Sequence, residues 1–356
     1  MKQLGVWGLL LLMSVSSAGA LAGVEKPAIP LQSHLTSVNG HQLHYHQKGQ
    51  AEQKPLLILL SGPTDNWHSD SAWWILAQNY FSKTSLGQNS LAKNYQSIAI
   101  DRAGQAWSEH IEAPSYRQFA DDLEVLLLSK DVIDSQRELV FVAFASSNLS
   151  LKLLLDSPQL KSRTRGVVLI DPDVLTPHSI KHYTSETEVY KKGWQGLKDY
   201  IESGKYDLRI KEKLKAEREH LMTLIPKKLE AFMDWDYYDA VEAIRNTRDY
   251  QIHKFLEASV YKEDLEAAVK HPLDSELPLV VLDTDFESAY LTTIEDEAVR
   301  ASIAKWREEG IEWYFELAKA SDCGAYWPVD TEEHLLMMTQ PELIEQAIEK
   351  VLACSK

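Results

Sequence analysis

The apolar positions of the chain fall into two kinds of run that alternate. Leu56–Leu60, Ser97–Ile100, and residues 138–142, 166–170 and 279–282 are short and almost uniformly apolar. That is the pattern of strands buried on both faces of a parallel sheet. Between them lie stretches with helical spacing: Trp73, Trp74, Leu76 and Tyr80; Phe119 to Leu128; Leu149, Leu151 and Leu153 to Leu155; Ala301, Ile303 and Trp306; and residues 342–352. Strand, loop, helix, strand, repeated, predicts an α/β protein built on a doubly wound, mostly parallel sheet. Residues 311–317 read as a last strand. Near the N-terminus Asn39-Gly40 is a hairpin turn signal between two alternating segments. His44 and His46 share one face of the second segment. They read as a solvent-facing edge rather than a metal pair, because no third ligand lies nearby.

From about residue 176 to 276 the rhythm stops. The segment is charged and helical in pattern, as in 208–224 and 235–258, with no buried-strand run. It predicts a helical cap inserted into a core made of residues 23–175 and 277–356. Asp234-Trp235-Asp236-Tyr237-Tyr238-Asp239 admits two readings, a patch for a sugar or cation and an amphipathic helix start with acids at its N-terminus.

One stretch carries the candidate chemistry. A strand at 138–142 runs into Ala143-Phe144-Ala145-Ser146-Ser147 and then into a helix. A strand that turns into a helix so abruptly needs small residues beside the apex, because backbone and helix pack close there. This is the shape of a nucleophile elbow, small-x-nucleophile-x-small, with Ala145 at the apex.

Composition narrows the setting. Lys2, the apolar run Leu4 to Val15 and Ala20-Leu21-Ala22 form the three regions of a secretory signal, so residues 1–22 are read as a leader and the chain as exported, periplasmic or extracellular. The run is too short to span a bilayer, so no membrane anchor is expected after cleavage. A net charge of −16 argues against nucleic acid as a partner. Cys323 and Cys354 would enter an oxidising compartment, where a disulfide and two free thiols are both open readings. Two cysteines supply no metal framework, and no cofactor is expected.

The order of these parts resembles the α/β-hydrolase superfamily over nearly the whole chain beyond the leader. It is most similar to secreted bacterial hydrolases with a D-R-A-G-x-x-W-S loop after the third core strand, here Asp101-Arg102-Ala103-Gly104-Gln105-Ala106-Trp107-Ser108. The helix at Phe119-Ala120-Asp121-Asp122-Leu123, the strand Val168-Leu169-Ile170-Asp171-Pro172, and His334 ahead of Pro341-Glu342 fit the same pattern. The resemblance implies a serine at the elbow, a His that takes its proton, an acid that orients the His, and two backbone N–H groups for the oxyanion.

Carried across residue by residue, the pattern is broken. The Gly-x-Ser-x-Gly of the family is Ala143-Phe144-Ala145-Ser146-Ser147, and a methyl group is no nucleophile. Ser146, whose N–H would serve the oxyanion, could attack only after a one-residue register shift. The family's His-Gly is Ser61-Gly62, followed by Pro63, which has no N–H to give; Thr64 could replace it if the loop is shifted. His334 is the implied base, with Asp283 or Asp285 the first choices to orient it and Asp171, Asp173 and Glu287 the alternatives. Three functions follow as expectations. The first is a serine-hydrolase-derived protein without its nucleophile, holding a small ligand between cap and sheet. The second is an active hydrolase of a small ester, amide or lactone, using Ser146 or a water activated by His334. The third is a partner-binding module working through the cap.

Overall fold

The computed structural model describes residues 26–50, 54–63, 68–82, 95–134, 136–185 and 187–354. The predicted leader and Thr64 lie outside the described residues. Eight strands form one sheet in the order β1-β2-β4-β3-β5-β6-β7-β8. They are β1 (Ser33–Val38), β2 (His41–Lys48), β3 (Leu56–Leu60), β4 (Ser97–Ile100), β5 (Leu139–Phe144), β6 (Thr164–Ile170), β7 (Leu279–Asp283) and β8 (Gly324–Pro328). Only β1 and β2 run antiparallel to their neighbours; every pairing from β4 to β8 is parallel.

The uniformly apolar strands need two cores, and the sheet provides them. Leu57, Leu59, Val140, Val142, Val168, Ile170, Val280 and Leu282 face one hydrophobic cluster. Their alternates Leu56, Ile58, Leu60, Leu139, Phe141, Val167, Leu169 and Val281 face the other. Each such side chain removed from water stabilises the fold by about 1.5–3 kcal/mol before entropy is counted. Asn39 and Gly40 both take positive φ, 46° and 88°, as the two-residue turn between β1 and β2 requires.

Two expectations are corrected here. Residues 311–317 are not a strand; they belong to the helix Glu297–Lys319, and the last strand is β8. Ile311, Tyr314 and Ala318 sit at helical spacing, and a short apolar run cannot by itself separate the two periods. His44 and His46 do not face solvent, being 0 % and 1 % exposed. β2 pairs with β4 as well as β1, so it is an interior strand. His44 Nδ1 bonds Asp101 at 2.6 Å and His46 Nδ1 bonds Gln78 at 2.9 Å.

Between β6 and β7 the described residues form helices only, from Pro177–Thr184 to Tyr261–Ala268. Asp234 caps the helix Trp235–Arg245 by accepting from Tyr237 N, so the acid-aromatic patch is a helix start. Buried polar contacts seat these helices on the sheet. Arg102 Nε meets Glu257 at 2.8 Å and Arg245 Nε meets Asp70 at 3.2 Å. Asp264 accepts from the backbone N–H groups of Tyr116 and Arg117 at 2.9 and 3.2 Å. Cys323 and Cys354 form a disulfide joining the start of β8 to the last helix.

Candidate functional site

β5 ends at Phe144, and the chain turns through Ala145 directly into the helix Ser147–Leu154. Ala145 takes φ +47°, a left-handed conformation that costs an L-residue about 1–2 kcal/mol. Three contacts hold it there. Ala145 N donates to Ile170 O at 2.9 Å. Ser147 Oγ bonds the carbonyls of Phe144 and Leu60 at 2.8 and 3.2 Å. The β3 loop closes over the turn so tightly that a Cβ on Gly62 would lie 2.6 Å from the Phe144 ring and 3.3 Å from the Ala145 methyl. Glycine is therefore required at position 62 by close approach, not by its own backbone angle.

The acid and base come from two other strand ends. Asp171, the residue after β6, has φ +43° and is 3 % exposed. Its carboxylate accepts from Thr284 N and Thr284 Oγ1, each at 2.7 Å, and meets His334 Nδ1 at 2.7 Å. That bond leaves Nε2 as the free nitrogen of the imidazole, whose side chain keeps 16 % of its surface open. Phe286 and Phe144 cover the ring at centroid distances of 4.1 and 4.5 Å. The expectation that Asp283 or Asp285 orients His334 is corrected. Both acids are drawn to Arg307 on the facing helix, and Asp283 also accepts from the Tyr326 hydroxyl. Burial still raises the Asp283 carboxyl above its ordinary value, against the pull of these donors.

Ser146 is not the apex. It has ordinary helical angles, φ −57° and ψ −13°, as the residue before the elbow helix. Its hydroxyl bonds the Tyr261 hydroxyl at 2.7 Å, and Tyr261 donates in turn to Asp173. Burial first, then the Asp173 charge, pushes the Tyr261 phenol well above its usual range, so it stays protonated. The register shift that would make Ser146 the attacking group is thus absent. Among the described residues no side-chain hydroxyl is hydrogen-bonded to the His334 imidazole.

Gly62 N is committed to His68 O at 3.1 Å, and Pro63 has no N–H. Arg102 holds this loop from below, donating to Ser61 O at 2.9 Å and Gly62 O at 3.1 Å. The Ser61 hydroxyl bonds Asp70 O at 2.9 Å, so it too is turned away. His68 packs edge-on to Trp73 at 4.5 Å. Burial, reinforced by the His334 charge, drives its imidazole well below the ordinary value, so it is neutral.

Sequence reasoning brought Ala145, Ser146, Gly62, Pro63 and His334 to one place. It missed Phe286, which the post-β7 loop delivers beside the acids it had singled out. It also missed Tyr261, which no motif marks within the helical segment. A surface cavity of about 480 Å³ opens where Asn79, Met233, Asp234 and Trp235 meet, and shares no lining residue with the elbow. Among the described residues no group of three or more His, Cys, Asp or Glu side chains could hold a metal ion.

No protein-family model and no curated protein matches the chain. Solved structures do. A haloalkane dehalogenase from Bradyrhizobium elkani superposes with a TM-score of 0.57 at 16% identity, covering 90% of this chain and 97% of its own. An α/β-hydrolase-fold protein from Burkholderia ambifaria gives 0.53 at 14%, covering 90% and 98%. A thermophilic esterase from Thermogutta terrifontis gives 0.52 at 14%, covering 91% and 100%. The chain has the α/β-hydrolase fold. In α/β-hydrolase terms, the elbow follows β5, the acid that meets His334 follows β6 rather than β7, and the helical segment lies between those two strands. Fold alone assigns no reaction; the residues at the elbow must do that.

Proposed function

We propose that this α/β-hydrolase-fold protein derives from serine hydrolases, has lost acyl-serine chemistry, and binds a small ligand at the elbow beneath its helical cap. The observation that carries the reading is the Ala145 methyl at φ +47°, in the one conformation that presents an attacking side chain. Two independent losses support it. Gly62 N is already bonded and Pro63 has no N–H, so the β3 side of the oxyanion hole has no donor to offer at these positions. Ser146, the nearest hydroxyl in sequence, is bonded to Tyr261. The Cys323–Cys354 disulfide agrees with an exported protein, as the leader-like N-terminus implies. Reaction of the purified mature chain with a fluorophosphonate probe tests the reading. No covalent adduct by intact mass is the outcome it requires, and stoichiometric labelling would overturn it.

A second reading rests on the intact pair of His334 and Asp171 at 2.7 Å. An imidazole oriented by a carboxylate can serve as a general base without any nucleophile on the protein, acting on a bound water or on an acidic proton of the ligand. Hydrolysis of p-nitrophenyl acetate that disappears in His334→Ala would favour it over pure binding. Activity that survives the substitution would count against it.

A further inference from the structure

A further buried acid lies in the helix that begins with Phe286, the ring over His334. Glu287 lies in the short helix Phe286–Leu291, next to the phenyl ring that covers His334, and is 0 % exposed. Neither of its carboxyl oxygens has a hydrogen-bond partner on another residue. Its nearest cation is Arg307 Nη1 at 3.9 Å, beyond hydrogen-bond reach.

Three buried carboxyl groups therefore share this end of the sheet with one guanidinium. Asp171 accepts from Thr284 twice and pairs with His334. Asp283 accepts from Arg307 and Tyr326, two donors that Glu287 lacks. Asp285, half open to solvent, takes the remaining face of Arg307. Glu287 accepts nothing, and an ion left dry and unbonded is the most expensive state a carboxyl can take. Tyr183 and Tyr314, which feel the Glu287 charge, are phenols pushed well up by burial and so stay protonated. The dry, unbonded carboxyl of Glu287 is therefore the one that keeps its proton. Consistently, burial first and the Asp171 charge second raise its carboxyl to about 8.

We propose that Glu287 is a positioning residue for the His334–Asp171 pair: a neutral acid behind the dyad whose ionisation adds a second negative charge and tightens proton binding by the imidazole. Ionisation of Glu287 then changes the field at the dyad, which makes the site responsive to mildly alkaline pH. The inference rests on the reading that His334 and Asp171 are the working part of the site. It does not depend on turnover.

The test is histidine ring NMR on the full mature chain, with His334 assigned by His334→Gln. In the wild type the His334 Cε1–H resonance should show an inflection near pH 8, where Glu287 ionises. Glu287→Gln, which copies the neutral acid, should erase that inflection and leave the resonance unchanged at pH 6. A wild-type resonance without the inflection, or one that persists in Glu287→Gln, overturns the proposal. Should the variant fail to fold, the wild-type titration alone decides between the two. Fluorophosphonate labelling of the wild type would refute the loss of acyl-serine chemistry while leaving this result untouched, so the two failures are distinguishable.

Discussion

Ala145→Ser is the sharpest perturbation of the elbow. The backbone already sits at φ +47°, so the left-handed cost is present in the parent and serine adds no new one. Position 145 is 4 % exposed, so the added hydroxyl must find a partner or stay dry. If it meets His334, stability should change by less than ~1 kcal/mol; if it meets nothing, the loss should be about 1–3 kcal/mol. The chemistry has its own ledger. His334 and Asp171 are already paired at 2.7 Å, so base and orienting acid need no rebuilding. One oxyanion donor is worth roughly 10²–10³ in rate, and the β3 side lacks it because Gly62 N is spent on His68 O and Pro63 has none. The single variant should therefore label slowly with fluorophosphonate and turn over p-nitrophenyl acetate only weakly. Adding Pro63→Gly should raise that turnover by about 10²-fold or more. Triad groups act as a unit, so labelling is the primary readout and rate the secondary one. A folded Ala145→Ser/Pro63→Gly double variant that neither labels nor turns over would refute the reasoning, since the apex would then not face the imidazole.

Three further outcomes follow from buried pairs. Glu257→Ala strips the Arg102 guanidinium of its 2.8 Å partner beneath the cap, and should cost about 3–5 kcal/mol in urea unfolding; a loss below ~1 kcal/mol would mean that Arg102 is satisfied by the loop carbonyls alone. Tyr261→Phe removes the hydroxyl shared by Ser146 and Asp173, costing about 1–3 kcal/mol without any gain of fluorophosphonate labelling; labelling at Ser146 would show that Tyr261 restrains a competent nucleophile. Stability should fall as pH rises through neutrality. Glu287 is raised to about 8 from 4.5, so folding takes up a proton across that interval, and its contribution, full below pH 4.5, is lost as pH climbs. Asp70, raised to about 7, acts in the same sense and keeps its part of the slope in a Glu287 variant. His46, lowered to about 4, and His253, lowered to about 3, act oppositely, but only below their unfolded value of 6.5. Between pH 6.5 and 7.5 the Glu287 slope is about 1.4 kcal/mol per pH unit, and chemical denaturation should find it missing from Glu287→Gln.

The fold was legible because double-sided burial leaves an unmistakable mark. Leu56–Leu60 could not alternate in polarity when both faces of β3 are dry. The elbow was legible for a related reason, that only small residues tolerate the approach of Gly62 to Phe144 and Ala145. What the sequence did not settle was the choice among acids. Asp171, Asp283, Asp285 and Glu287 all follow strands that end at the same edge, and proximity is common to the four. The discriminating facts are three-dimensional: Thr284 offers two donors to Asp171, and Arg307, far along the chain, captures Asp283 and Asp285. His44 and His46 were misread for the opposite reason. An alternating polar strand looks solvated until a second neighbour, β4, covers it and supplies Asp101 as a partner.

The left-handed backbone at Ala145 bears on what strain at an elbow signifies. Strained residues persist where the surroundings over-determine them, and the usual inference runs from strain to a catalytic task. Here the strain remains although the side chain it would present has no reactive atom. The contacts that enforce it are structural: Ala145 N to Ile170 O, Ser147 Oγ to two carbonyls, and the β3 loop lying against the turn. Neither the Ala145 N–H bond nor the Ser147 bonds involve the apex side chain, so they hold whether or not it carries a hydroxyl. The same holds for Asp171, whose φ of +43° is anchored by Thr284 and by its N–H to Leu282 O. The left-handed turn is thus a property of how β5, β6 and the β3 loop pack, and its hydrogen bonds do not depend on what the apex side chain carries. This predicts an asymmetry. Gly62→Ala, which drives a methyl into Phe144 and Ala145, should destabilise the fold by about 1–3 kcal/mol, whereas Ala145→Gly, which relieves the backbone, should be neutral or stabilising. Equal losses from both in urea unfolding would place the strain in the service of the side chain after all.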